Sequence, residues 1–263
     1  MKKKVLVLAK AEPLTSKKYQ ASVCAAGITD DGEFIRIYPV PFRIFCDKNT
    51  KISKYDWIEV DCEKAEDDKR PEIYKINPDT IKKVGHIDAD GAEWSERSTI
   101  LLPKRVKNLQ ELSESGASLG LIRPSEILDF KYEKSKDNEE AKVGKEYNKA
   151  FQMIFDEEGE IKKIPAINRK YDRHFSYVFK CDGEEKNHKI ICEDWELYEA
   201  FRKWRDIYKD EGETLGKIRD RFFDTFTTKN DLHFIMGTHY IFKTWIIIGL
   251  YYPKKSTGYQ TRL

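Results

Sequence analysis

No run in this chain approaches the ~18–20 consecutive apolar residues of a membrane span. The longest, TWIIIGLYY, is about half that. The opening MKKKVLVLAKAEP returns to charge after the five apolar residues VLVLA, too few for the core of a secretory signal. Cysteine is sparse: Cys24, Cys46, Cys62, Cys181 and Cys192 are five in number and irregularly spaced, so they spell no disulfide framework. We therefore expect free thiols, a reducing cytoplasmic compartment and no membrane partner. Neither sign of charge dominates, with 48 basic against 46 acidic residues and a formal charge of +2. That excludes attachment to nucleic acid through the field of the whole molecule and leaves only local patches. Also missing are a phosphate-cradling P-loop, a G-x-G-x-x-G fingerprint, a G-x-S-x-G elbow and an H-E-x-x-H pair. Those absences remove the commonest enzyme classes, and no cofactor is expected.

What is present is charge and short strands. Charged residues make up 36% of the 263 residues and apolar ones 40%, which is globular but more charged than the roughly one-quarter usual for soluble domains. KVLVLAK, ASVCAAGI, FIRIYPV and YDWIEVDCE read as strands, with Asp-Gly in TDDGE marking a hairpin tip. RPEIYKINPDTIKKVGHI is extended and broken by proline. Short strands with turns every ten to fifteen residues predict a small barrel over residues 1–117. Residues 118–263 predict an α+β lobe: strands at ILDFKYEK, FSYVFKC and HKIIC, then two helices. In EDWELYEAFRKWRDIYKD, Trp195, Tyr198, Phe201, Trp204 and Tyr208 recur at helical steps behind Asp194 as N-cap. TLGKIRDRFFDTF is the second helix, and DLHFIMG and FKTWIIIGLYYP are expected as central strands. The Lys/Glu-dominated residues 133–163 read as a solvated insertion. The fold class expected is α+β and β-rich, with an OB-like barrel followed by a mixed lobe.

FKCDGEEKNHKIIC carries Cys181, His188 and Cys192 around a polar turn. Structural zinc takes four ligands, usually in close pairs. This spacing supplies three, and a fourth would have to come from Asp182 or Cys62. A packed hairpin with incidental thiols is preferred to a metal site or a Cys/His nucleophile pair.

Alternation along GEFIRIYPVPFR sends Ile35 and Ile37 to one face and Phe34, Arg36 and Tyr38 to the other. Ring, guanidinium, ring on an outer barrel wall suits single-stranded nucleic acid, because rings stack on bases and the guanidinium meets phosphate. Arg43 follows the prolines, and YDWIEVD sends Trp57 outward beside Glu59. NRKYDRHF adds Arg169 and Arg173, and Lys217, Arg219 and Arg221 lie along the second helix. The expected site is Arg36, Tyr38, Arg43 and Trp57, with Arg169 and Arg173, binding RNA or single-stranded DNA without turnover. Three alternatives remain. Glu59, Asp61 and Glu63 with Mg²⁺ or Mn²⁺ would make a nuclease or phosphodiesterase. The aromatic face of DWELYEAFRKW would make a protein-interaction module within a larger assembly. His233 and His239 would make an acid/base pair, though two packed core histidines are the plainer expectation.

The order VLVLAK, VCAAGI, GEFIRIYPV resembles the start of dual OB-type domain proteins of prokaryotic conflict and defence systems, over about forty residues. There a Cys-x-Ala-Gly strand precedes a Gly-x-x-Ile-Arg strand, matched here by Cys24, Ala26, Gly27, Gly32, Ile35 and Arg36. The resemblance implies two OB-like barrels, recognition of nucleic acid or a nucleotide, and no catalytic centre. The Trp-rich helix pair of the C-terminal half departs from a plain second barrel.

Overall fold

The computed structural model describes residues 1–10, 14–16, 20–41, 43–46, 51–66, 68–91, 94–134, 173–239 and 243–255. Most of the expected insertion, residues 135–163, lies outside the described residues, as does Arg169.

Strands β1 (Lys2–Lys10), β3 (Gln20–Thr29), β4 (Phe34–Pro41), β5 (Asp56–Lys64) and β6 (Ile73–Ile76) close into a barrel in the order β1-β3-β4-β6-β5-β1. The β4–β6 pair is parallel and the other four pairs are antiparallel. β2 (Leu14–Ser16) extends β3, and β7 (Lys82–His86) extends β5. Inside sit alternate residues such as Val5, Val7, Ile35, Ile37, Ile58 and Val60. The barrel is tight: a Cβ on Gly27 would sit 2.5 Å from the Leu6 carbonyl oxygen, so no larger residue fits there. Pro39 falls within β4 and Pro41 is its last residue, with the Tyr38–Pro39 peptide cis.

A four-stranded sheet packs on this barrel in the order β14 (Trp245–Tyr251), β13 (His233–Thr238), β9 (Leu119–Ile122), β8 (Arg105–Val106). β8 and β9 lie in one sheet on either side of the expected boundary at 117/118. Alternation along these strands feeds two cores. Leu119, Leu121, Ile235, Ile246 and Ile248 meet Leu6, Leu8, Ala26 and Ile28 of the barrel's outer wall. Ile122, Phe234, Met236, Ile247 and Leu250 face the opposite way. Burial on both faces explains why these strands read as continuous apolar runs. β14 ends this sheet, where a central position was expected, and its Ile247 forms a single bridge to Cys192.

The second core is closed by the meander β10 (Glu126–Lys134), β11 (Arg173–Lys180), β12 (His188–Ile191) and by helices. Among the described residues the α-helices are, in chain order, α1 (Arg43–Cys46), α2 (Ser95–Leu101), α3 (Leu109–Glu114), α4 (Trp195–Tyr208), α5 (Glu211–Arg219) and, after a π-helical stretch at Asp220–Thr225, α6 (Phe226–Lys229). Among the described residues no helix is long and apolar enough to cross a membrane. The whole is α+β and β-rich.

One buried ionic knot ties the layers. Asp194 caps α4, accepting from Glu196 N at 2.8 Å, and its second oxygen accepts from Leu250 N at 2.8 Å. Lys54, just before β5, donates to Asp194 at 3.4 Å, Glu196 at 3.3 Å and the Leu250 carbonyl at 3.1 Å. Burial alone would lower the Lys54 pKa, but the two carboxylates outweigh it and keep the ammonium charged.

Candidate nucleic-acid interface

The barrel strands place the predicted residues unequally. Arg36 leaves the barrel on its outer face, as alternation requires, with Ile35 and Ile37 in the core. It does not reach solvent. Sheet β8–β9–β13–β14 covers that wall, and Arg36 is 5% exposed. Its guanidinium donates to the Ser118 carbonyl at 3.0 Å and lies 3.8 Å from the Cys24 sulfur, while Nε is buried without a partner. Ser118 is itself gripped by Glu72, through N at 2.8 Å and Oγ at 2.5 Å. Arg36 thus joins the two halves of the molecule, and the open wall expected around it is corrected.

The other expected contacts divide. Arg43 is the first residue of α1. Arg173 opens β11 and is bound to Glu211 at the start of α5, with Nε 2.9 Å from the carboxylate. Its side chain is 13% exposed and is engaged by that carboxylate. Tyr38 and Trp57 remain half-buried at the barrel's outer surface. Register joins them on one face. Tyr38 lies opposite Lys75, which lies opposite Glu63; Asp61 faces Lys2, Glu59 faces both Lys4 and Lys82, and Trp57 faces Gly85. Cross-strand residues therefore alternate lysine and carboxylate between the two rings. The Lys4 ammonium stands 5.1 Å from the Trp57 ring centroid. Around the barrel mouth, Lys3 and Lys64 stand 5.2 and 4.5 Å from the ring of Tyr74. Sequence reasoning passed over Tyr74, because its lysines come from two other strands. The opening lysine run was the available signal. Below this face, a depression of about 310 Å³ is lined by Met1, Asp61, Cys62, Glu63, Lys75, Ile76 and Asn77.

Each carboxylate of the nuclease alternative faces a lysine across the sheet. Among the described residues Glu59, Asp61 and Glu63 form no group of ligand atoms close enough to share a metal. His233 opens β13 and His239 follows its last residue, six positions or about 20 Å apart at ~3.3 Å per residue, so the two do not pair with each other. His233 is fully buried with Nδ1 3.0 Å from the Asp231 carbonyl. The aromatic face of α4 is spent inside: Leu197, Tyr198 and Phe201 lie in the second core, Trp204 packs against it, and Trp195 packs on the barrel core. Arg219 is occupied by the Phe130 carbonyl at 2.8 Å and Asp129 at 3.2 Å.

In the β11–β12 turn, Cys181, Glu184 and His188 bring their ligand atoms within 4.8 Å of one another. Cys192 does not join them; it is fully buried beside β14, as a packed hairpin with incidental thiols would have it, and the third member of the group is Glu184. Burial pushes the Cys181 thiol up to about 12, helped by the Glu184 charge, which favours the protonated thiol while no cation stands beside it.

Residues 101–263 match a family model described as a domain of unknown function, DUF8757. The chain belongs to the DUF8757 family. Ahead of the DUF8757 part, residues 1–103 match a second domain of unknown function, DUF8758, so the two matches meet in the helical stretch beyond α2. The five barrel strands fall within the DUF8758 match, and the covering sheet within DUF8757. No curated protein matches the sequence.

Proposed function

We propose that the barrel binds single-stranded nucleic acid, RNA or DNA, without turnover, on the β4-β6-β5-β1-β7 face and not on the wall bearing Arg36. The observation that carries this reading is the Lys4 ammonium 5.1 Å from the half-buried Trp57 ring on this face, with Lys3 and Lys64 standing 5.2 and 4.5 Å from the half-buried Tyr74 ring at the adjoining barrel mouth. A base stacking on such a ring finds a cation within one nucleotide's reach for its phosphate. Tyr38 and Lys75 continue the face toward β4. The interleaved Glu59, Asp61 and Glu63 keep the patch from binding polyanions indiscriminately, in keeping with the near-neutral whole. The closed five-stranded barrel is compatible with an OB-like module, and the likeness of residues 24–36 to defence-associated OB-type proteins points to the same class of ligand. Free thiols at Cys24, Cys62, Cys181 and Cys192 suit a reducing cytoplasm.

Fluorescence anisotropy with labelled single-stranded RNA and DNA tests this. Trp57→Ala should weaken binding about tenfold, the value of one stacked base at ~1–3 kcal/mol. Lys3→Glu with Lys4→Glu should lower the slope of log affinity against log salt by roughly 0.7 for each phosphate no longer neutralised. Binding that survives both changes intact rejects the face.

A further inference from the structure

The β11–β12 turn gathers three donors of different chemistry with no part in the barrel surface. Cys181 is the residue after β11, and His188 opens β12. Between them the chain reverses through Gly183, whose φ of 76° only glycine adopts freely, with Glu184 N donating to the Cys181 carbonyl at 3.3 Å. That reversal carries Glu184 back between the other two. Its Oε2 lies 2.5 Å from His188 Nε2, and its Oε1 accepts from Gln110 N at 3.0 Å. Asn108 Nδ2 holds the Asp182 carbonyl at 2.9 Å, so the turn is pinned to α3 on its far side. These pins leave the Cys181 Sγ, a Glu184 carboxylate oxygen and a His188 ring nitrogen all within 4.8 Å of one another. Cys181 is 2% exposed, whereas the Glu184 and His188 side chains are 11% and 23% exposed. The pocket is closed toward the core and open toward the turn.

We propose that Cys181, Glu184 and His188 bind a zinc-class divalent cation, with solvent in the fourth position. A tetrahedral Zn²⁺ with bonds of about 2.0–2.3 Å holds its ligand atoms roughly 3.3–3.8 Å apart, which this cluster reaches by side-chain adjustment alone. Thiolate and imidazole favour zinc, or cobalt as its probe, over magnesium and calcium, which prefer all-oxygen shells. On binding, the Cys181 proton passes to buffer, and the Glu184–His188 contact opens to admit the ion. The hydrogen bond from Gln110 N and the grip of Asn108 act as an outer shell that fixes the ligands. The ion would staple the β11–β12 hairpin beside α3, independently of any nucleic acid.

The full-length chain, stripped with chelator, is titrated with Co²⁺ and followed by absorption spectroscopy. Expected are thiolate-to-cobalt charge transfer and tetrahedral d–d bands at stoichiometric metal, displaced by Zn²⁺. Cys181→Ser should abolish the charge-transfer band, while Glu184→Gln and His188→Ala should weaken Co²⁺ binding about tenfold or more. Near-ultraviolet circular dichroism confirms the fold of each variant, and the partly exposed His188 and Glu184 decide the matter if Cys181→Ser does not fold. Cys192→Ser should keep the band. Absence of thiolate–cobalt absorption in the full chain, its persistence in Cys181→Ser, its loss in Cys192→Ser, or unchanged affinity in His188→Ala would each overturn the assignment.

Discussion

The two outer walls of the barrel share strands but not fates. On one face of β1, Lys2 and Lys4 stand in water, and two residues further on Leu6 and Leu8 are fully buried under the covering sheet. On β4 the row Phe34, Arg36, Tyr38 begins under that sheet and emerges at Tyr38. On β5 the row Trp57, Glu59, Asp61, Glu63 starts at the margin of the cover and runs outward beside lysines. The lesson is that alternation assigns a side chain to a face, while a separate part of the chain decides whether that face is surface. A guanidinium is no guarantee of solvent. Arg36 is tolerated under the sheet because Ser118 offers its carbonyl and because the planar fork is weakly hydrated.

The sharpest way to break the difference between the walls is to loosen the cover. Lys54→Ala leaves Asp194 buried without its cation and should cost about 3–5 kcal/mol, read from urea unfolding. A loss under about 1 kcal/mol would mean that the knot does not hold the layers together. Arg36→Ala comes next. It removes the donor to Ser118 and should cost roughly 1–3 kcal/mol of stability while leaving oligonucleotide affinity unchanged. The reverse result, weaker binding in a fully stable protein, would return the site to the covered wall. The smallest effect is acid sensitivity within the covering sheet. Burial holds the His233 pKa below its usual 6.5, with Arg123 and Arg105 adding to the shift and Asp231 opposing it. The unfolded chain therefore takes up a proton first as pH falls past 6.5. Stability should be complete above that value and decline below it, by at most about 1.4 kcal/mol per pH unit, until the folded pKa is reached. A flat profile from pH 7 to about 5 in His233→Gln, against a slope in the parent, would assign it.

Much of the architecture was legible because its causes are local. The strands came from alternation and turn glycines, and Asp194 as N-cap came from a carboxylate ahead of an aromatic helical stripe. Inward Ile35 and Ile37 followed from pleat alone. What was not legible depends on long-range docking. Nothing near residue 36 announces that Ser118, 82 residues away, will bind it. Glu184 escaped notice in the turn because one glutamate among several looks like solvated charge until Gly183 folds it back onto His188. The spacing of Cys181, His188 and Cys192 left a metal set disfavoured but open, and only the hairpin register shows Cys192 in the core beside Ile247.

Strands β9, β13 and β14 of the covering sheet are buried on both faces, and the sheet approaches the barrel so closely that a Cβ on Gly249 would press within 2.9 Å of the Ala9 methyl. Neither family domain is therefore a finished object by itself. Either half without the other would leave that seam unroofed, with Leu6, Leu8, Ala26 and Ile28 of the barrel and Leu119, Leu121, Ile235 and Ile248 of the sheet turned to water.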